Sequence, residues 1–91
     1  MNTRELIENK VKEEGLELGC YNDMINKLPK KMVAKIIDSI TGDSGDIGVT
    51  YRKKKFVIEM MAVDNELDFY MTPLAEYVSL CGEDSLEYLE F

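Results

Sequence analysis

Residues 47–71, IGVTYRKKKFVIEMMAVDNELDFYM, decide the fold, because apolar side chains alternate with polar or small ones along three short runs. Such alternation predicts β-strands with one buried face. Polar pairs separate the runs at Lys53-Lys54 and at Asp64-Asn65. Two-residue loops are the commonest connections of β-hairpins. The stretch therefore predicts a three-stranded antiparallel meander.

The two predicted turns also fix how the strands pair. The turn at Asp64-Asn65 predicts three cross-strand pairs: Ala62 with Leu67, Met60 with Phe69, and Ile58 with Met71. The turn at Lys53-Lys54 predicts two more: Tyr51 with Phe56, and Val49 with Ile58. Both registers place these apolar side chains on one face, and a slip of one residue in either would break that agreement.

Helical patterns precede the meander. We expect helices over residues 3–14, 23–28 and 29–41. Asn2 is placed to cap the first, and Gly15 is a natural left-handed stop. Pro29 fits the first position of the third helix, which Gly42 would end. The alternating residues 16–20 between the first two helices predict either a short edge strand or an extended connector.

One further helix follows the meander. Thr72 is placed to cap it, with Pro73 at its first position and Gly82 at its end. Its predicted buried stripe consists of Leu74, Tyr77, Val78 and Cys81. The tail 83–91 fits a helical turn, a strand or a segment that docks elsewhere.

These elements predict one α+β domain over residues 1–91, in which N-terminal helices, a three-stranded antiparallel β-meander and a C-terminal helix follow in order. The helices are expected to cover one face of the sheet. No apolar run reaches the ~18–20 residues of a membrane span, and the charged N-terminus lacks the apolar region of a signal peptide. We expect a cytoplasmic protein without membrane contact.

Charge is distributed unevenly along the chain. The net charge is −7, and all 11 Lys and Arg residues precede Phe56. From Phe56 onward the only charged side chains are acids: Glu59, Asp64, Glu66, Asp68, Glu76, Glu83, Asp84, Glu87 and Glu90. Such one-sign surfaces bear on partners and on association rates rather than on the fold.

The residue types give little sign of catalysis. The chain has no histidine, which removes imidazole acid–base chemistry and imidazole metal ligands. Cys20 and Cys81 are far apart in sequence, unlike a CxxC redox pair or a zinc-binding set. A glycine-rich phosphate loop is also absent. We therefore expect a non-enzymatic protein without a cofactor or a metal ion.

The outer face of the meander is the predicted site. Its apolar members are more numerous than a fully solvated face would carry, and an acidic rim surrounds them. Either the N-terminal helix or the acidic tail covers this face, or a partner protein binds it. The residues predicted to bind the partner are Glu59, Met61, Glu66, Asp68 and Tyr70.

The leading hypothesis is an interaction module that docks this acidic face on a basic protein surface, such as that of a nucleic-acid-handling enzyme. Small inhibitors and immunity-type proteins of phages and mobile elements are often acidic and poor in histidine, which is an analogy of class. One alternative is a nucleic-acid-binding protein that uses the hairpin tip Arg52, Lys53, Lys54 and Lys55. The other is a homo-oligomer formed through the meander or through the tail from Leu86 to Phe91.

Overall fold

The computed structural model of the chain describes residues 1–40, 45–84 and 89–91. Three α-helices occur in this part: α1 (Thr3–Glu13), α2 (Lys30–Asp38) and α3 (Leu74–Cys81). A short 3-10 helix spans Asp23–Lys27. The strands are β1 (Glu17–Tyr21), β2 (Gly45–Tyr51), β3 (Lys54–Val63) and β4 (Glu66–Pro73), and they form one sheet in the order β1-β4-β3-β2. None of the described helices is long and apolar enough to cross a membrane.

The antiparallel meander is confirmed, but the sheet has a fourth strand. Residues 16–20, for which a strand and a connector were both open, contribute β1, which pairs with β4 in parallel. The α+β class therefore holds, while the predicted all-antiparallel sheet of three strands was wrong. Two parallel strands are joined by a long crossover and not by a tight turn. The sequence therefore contains no turn signal that would predict the pairing of β1 with β4.

β1 contains a bulge that changes which side chains face the core. Leu18 pairs with Leu67 but Tyr21 pairs with Phe69, so three residues of β1 advance against two of β4. The extra residue reverses the alternation beyond it. Tyr21 consequently packs against the core, with its ring edge-on to Phe69 at a centroid distance of 6.3 Å, while Cys20 is exposed.

The hairpin between β3 and β4 has the predicted register, with its turn at Asp64-Asn65. The hairpin between β2 and β3 is displaced by two residues, because its turn lies at Arg52-Lys53 and Val49 pairs with Phe56. Both turn residues have positive φ, 52° and 65°, as in the mirror-image turns that suit twisted hairpins. A displacement of two keeps every side chain on its predicted face, so the alternation could not detect it.

The main core lies between one face of the sheet and the layer formed by α1, α2 and the 3-10 helix. Its fully buried members come from all of these elements, and they include Ile7, Val11, Ile25, Ile36, Ile40, Val49, Ile58, Leu67 and Phe69. Asn2 caps α1 as predicted, since its Oδ1 accepts the Glu5 N–H at 2.9 Å, and Gly15 follows with φ of +79°. α2 is shorter than predicted: Pro29 precedes it and Asp38 ends it, while the predicted stop at Gly42 lies outside the described residues.

α3 does not share that layer. Its Tyr77 is buried and donates a hydrogen bond from Oη to the Asp46 carboxylate at 2.9 Å. Asp46 and Val57 point away from the main core, and Val57 is fully buried although it does not belong to that core. α3 contacts β3 and β4, so it packs on the second face. The expectation of helices on one face only was wrong.

The start of α3 also differs from the prediction. Pro73 is still part of β4 and pairs with Phe56, so the helix begins at Leu74 without a side-chain cap from Thr72. Of the predicted stripe, Tyr77 is buried, Leu74 and Val78 are half-buried, and Cys81 is exposed. Gly82 ends the helix with φ of +84°.

Candidate protein-interaction surface

The outer face comprises the side chains of β3 and β4 that point away from the main core. They alternate with the core residues, as predicted: Val57, Glu59, Met61, Val63, Glu66, Asp68, Tyr70 and Thr72. Glu59 lies opposite Tyr70, and Met61 lies opposite Asp68. The register thus brings all five residues of the predicted site onto one surface of two neighbouring strands.

The end of this face near the Asp64-Asn65 turn carries exposed apolar side chains. Met61 is 48% exposed, Val63 is 51% exposed and Tyr70 is 39% exposed. Val63 lies opposite Glu66, which is itself exposed. Directly opposed residues in an antiparallel pair have Cβ atoms about 4.5–5.5 Å apart. On this face, Met61 and Val63 of β3 therefore each stand beside a carboxylate of β4.

The other end of the face is closed by α3, which leaves a cleft of about 350 Å³ between helix and sheet. Asp46, Glu59 and Met61 line it from the strands, and Tyr77 and Cys81 line it from the helix. Burial raises the pKa of the Tyr77 phenol to about 12, with the hydrogen bond to Asp46 acting in the same direction. Tyr77 therefore remains a donor to Asp46 throughout the neutral range.

Glu59 stands at the border between the covered and the open parts of the outer face. It is half-buried and lies directly opposite Asp46 on β2. Burial raises the pKa of its carboxyl, and the negative charge of Asp46 adds to the increase, while a hydrogen bond with Thr72 opposes it. Asp46 and Glu59 therefore place two negative charges on directly opposed positions at this border. Like charges in such positions repel each other.

Asp68 has a structural role that its sequence context does not reveal. Its Oδ1 accepts the backbone N–H of Cys20 at 2.8 Å, within the bulge of β1. Gly19 makes room for it, since a Cβ at that position would lie 2.1 Å from the same oxygen. The Tyr70 hydroxyl donates to Asp68 Oδ2 at 3.4 Å, and the charge of Asp68 raises the pKa of Tyr70. A glycine inside a strand often marks such a close approach, and this signal was present in the sequence.

The basic run occupies the opposite end of the sheet. Arg52 and Lys53 form the tip of the β2–β3 hairpin, and Lys54 and Lys55 open β3; all four side chains are exposed. The Arg52 guanidinium lies 5.2 Å from the centre of the Tyr51 ring. The ion pairs found among the described residues all join Lys10 or Lys12 of α1 to acids on or directly after that helix. β3 therefore runs from the basic hairpin tip at one end of the sheet to the acidic Asp64-Asn65 turn at the other.

The last residues of the chain pack on β2. A Cβ on Gly48 would lie 2.8 Å from the ring of Phe91, so the ring rests directly on this glycine. Lys35 Nζ donates hydrogen bonds to the carbonyl oxygens of Gly48 and Glu90. The Lys55 ammonium lies 5.7 Å from the centre of the Phe91 ring. Residues 89–91 thus cover part of the sheet as a docking segment, while residues 85–88, with Leu86, lie outside the described part.

No family model, no curated protein and no solved structure matches this chain. Within residues 1–40, 45–84 and 89–91 there is also no group of three or more His, Cys, Asp or Glu side chains that could hold a metal ion. The function therefore has to be inferred from the geometry of the outer face. Its exposed members Met61, Glu66 and Tyr70 are free to contact a partner, whereas Asp68 is already engaged by β1.

Proposed function

We propose that the protein is a non-catalytic interaction module that docks the open end of its outer face on a basic surface of a partner protein. The observation that supports this most is the placement of exposed Met61, Val63 and Tyr70 among carboxylates on two paired strands. An apolar centre with a polar rim is the usual make-up of a protein interface.

The apolar side chains supply the anchors. Tyr70 offers a large rigid ring with a polar end, a residue type enriched among those that dominate binding energy. Met61 is flexible and polarizable, so it adapts to irregular partner surfaces. Val63 extends the apolar centre to the end of β3. Together they form a small patch that a partner would desolvate on binding.

The surrounding acids select the partner. Glu59, Asp64 and Glu66 carry negative charge on or next to the patch, and no basic residue occurs after Lys55 in the sequence. Opposite charge accelerates association and disfavours acidic partners. Lysine- and arginine-rich surfaces that bind nucleic-acid phosphates complement this pattern. An inhibitor or immunity-type protein that occupies such a phosphate-binding surface is the function that this geometry supports best.

A charge reversal tests the proposal. The tagged protein would be used to capture partners from its source cells, with Glu66→Lys and Met61→Lys compared against wild type. Asp38→Lys is the matched control, because Asp38 is an exposed acid at the end of α2, which packs on the opposite side of the sheet. We expect loss of a basic partner with the two outer-face variants alone. Equal capture by all four proteins would contradict the proposal.

The basic hairpin tip supports a second candidate, binding of nucleic acid. Its four consecutive exposed cations project from the end of the sheet that is remote from the acidic turn. Fluorescence anisotropy at ~50 mM salt, where phosphate contacts are strongest, tests it. Binding that weakens with rising salt and with Lys53→Glu would support this function. No binding at low salt would exclude it and leave the acidic face as the working surface.

A further inference from the structure

A second groove lies on the other side of the sheet, between α1 and α2. Its volume is about 630 Å³. The side chains that give it an apolar floor are Leu6 on α1, Leu28 before α2, and Val33, Ala34 and Ile37 on α2. The outer face and α3 are on the opposite side, so this groove is independent of the proposed docking surface.

The groove follows one stripe of α2. Lys30, Val33, Ala34 and Ile37 line it at helical spacing. From Lys30 to Ile37 a helix rises about 10 Å, which is two turns. Ala34 is exposed and small, so the floor stays open at the middle of the stripe. Leu6 faces it from α1 and is 41% exposed, although it directly precedes the fully buried Ile7.

The charge at this groove is positive. Among the described residues that line it, Lys30 carries the one charged side chain. Lys27 and Lys31 are exposed next to it around the start of α2. The groove is thus apolar along its length and cationic at one end, which is the reverse of the charge on the outer face.

From this we infer that the groove docks the apolar face of an acidic amphipathic helix of a partner protein. A helix laid between α1 and α2 presents apolar anchors at i, i+3 or i+4, and i+7, over about the same 10 Å. The gap that Ala34 leaves lets its backbone approach closely. Carboxylates beside the first anchor would meet Lys30, with Lys27 and Lys31 nearby, so charge complementarity also sets the direction of the bound helix.

A designed peptide tests this inference. The probe is an amphipathic helix of about 15 residues with leucines at i, i+4 and i+7, glutamates beside the first leucine, and alanine and glutamine at the other positions, because glutamate at every remaining position would destabilise the helix by self-repulsion. Its counterpart carries lysine in place of every glutamate. Each is titrated into the ¹⁵N-labelled chain of 91 residues. We expect the acidic peptide to shift the amide signals of Leu6, Val33, Ala34 and Ile37, and the basic peptide to bind the groove, as followed by these same signals, at least about tenfold more weakly.

Variants locate the site. Ala34→Glu fills the groove with a charged side chain, and we expect it to weaken binding of the acidic peptide by about tenfold or more. The matched control is Ala75→Glu, at an exposed alanine of α3 on the other side of the sheet. Lys30→Glu reverses the charge of this lining residue without filling the groove, and it should reduce the preference for the acidic peptide without reversing it, because Lys27 and Lys31 remain. It decides the question if Ala34→Glu fails to fold.

Four results would overturn the inference: no shift of the groove signals, shifts confined to residues outside the groove, equal binding of both peptides at the groove, or unchanged binding by Lys30→Glu. Concentration-dependent shifts of the groove residues without peptide would also overturn it, because a second copy of the chain would then be the occupant. Sedimentation of the same samples distinguishes that case.

Discussion

The carboxylate of Asp68 accepts the backbone N–H of Cys20 at 2.8 Å, across 48 positions of sequence. This bond joins the two parallel strands at the bulge, where the ladder between β1 and β4 is irregular. A bulge leaves backbone groups without their ladder partners, and Asp68 supplies one of the missing acceptors. The residue thus belongs to the framework that holds β1 in place as well as to the outer face.

Replacing Asp68 by alanine should therefore destabilise the fold. Because the acceptor is charged but half-exposed, we expect a loss of about 1–2 kcal/mol in the free energy of unfolding. Asp68→Asn keeps an oxygen acceptor and should lose less. Urea unfolding measures both, with Glu66→Ala as the control at an exposed neighbouring acid. A loss no larger than that of the control would show that the Cys20 bond contributes nothing.

Gly19→Ala should be destabilising for a related reason. The added methyl would lie 2.1 Å from Asp68 Oδ1 and 3.2 Å from the Cβ of Glu66, so the Asp68 side chain must leave its position. We expect a cost of about 1–3 kcal/mol, as for other overpacked sites. In a double-mutant cycle, the cost should fall when Asp68 is already alanine. Additive losses would mean that Gly19 is required for a reason other than the approach of Asp68.

Gly48→Ala should release the end of the chain from β2. The new methyl meets the Phe91 ring and the Glu90 carbonyl oxygen at 2.8 Å, and the chain end detaches more readily than the strand deforms. We expect Gly48→Ala and Phe91→Ala to cost similar amounts and to be non-additive when combined. Gly45→Ala on the same strand is the control, since a Cβ there meets nothing within 4 Å. Amide hydrogen exchange of residues 89–91 should be faster for Gly48→Ala than for this control.

Much of the sheet could be predicted because its side chains alternate with a period of two. That period places Met60 opposite Phe69 and Glu59 opposite Tyr70 as soon as the Asp64-Asn65 turn is recognised. The same period cannot distinguish registers that differ by two residues, which is why the turn at Arg52-Lys53 was assigned one residue too late. The position of the turn is identified by its backbone geometry, which has positive φ at both turn residues.

The parts that were not predicted depend on contacts between distant segments. β1 is short and bulged, and its partner β4 lies more than forty residues away. No neighbouring strand or turn in the sequence therefore supports the prediction of a strand there. α3 packs on the outer face, where Tyr77 donates a hydrogen bond to Asp46. The apolar pattern of the helix does not predict this contact. For the candidate site, the sequence predicted which residues share the outer face but not that Asp68 is bound by β1.

The charge of Glu59 should reduce stability at neutral pH. Its carboxyl has a pKa raised above the ordinary 4.5 in the folded protein, so the folded state binds more protons and stability falls as pH rises above about 4.5. Glu59→Gln removes this penalty and should raise Tm at pH 7 but not below pH 4. Glu83→Gln controls for the loss of one negative charge, since Glu83 is exposed. An equal gain from both variants at pH 7 would attribute the effect to net charge alone.

The Tyr77 hydroxyl should stabilise the packing of α3 on the sheet. Removing it in Tyr77→Phe leaves the Asp46 carboxylate without this donor, and we expect a loss of about 0.5–1.5 kcal/mol in the free energy of unfolding at pH 7.

The pKa of Tyr77 is raised from 10.0 to about 12, so the protonated phenol stabilises the fold below pH 10, and this contribution disappears as pH rises towards 12. Tyr77→Phe should therefore show a shallower fall in stability between pH 10 and 12 in urea unfolding. Tyr21→Phe is the comparison, because burial also raises the pKa of Tyr21 to about 12, while its hydroxyl donates to Asn26, away from α3. If the stability of Tyr77→Phe falls as steeply as that of the wild type between pH 10 and 12, the hydroxyl does not stabilise the packing of α3 on β2.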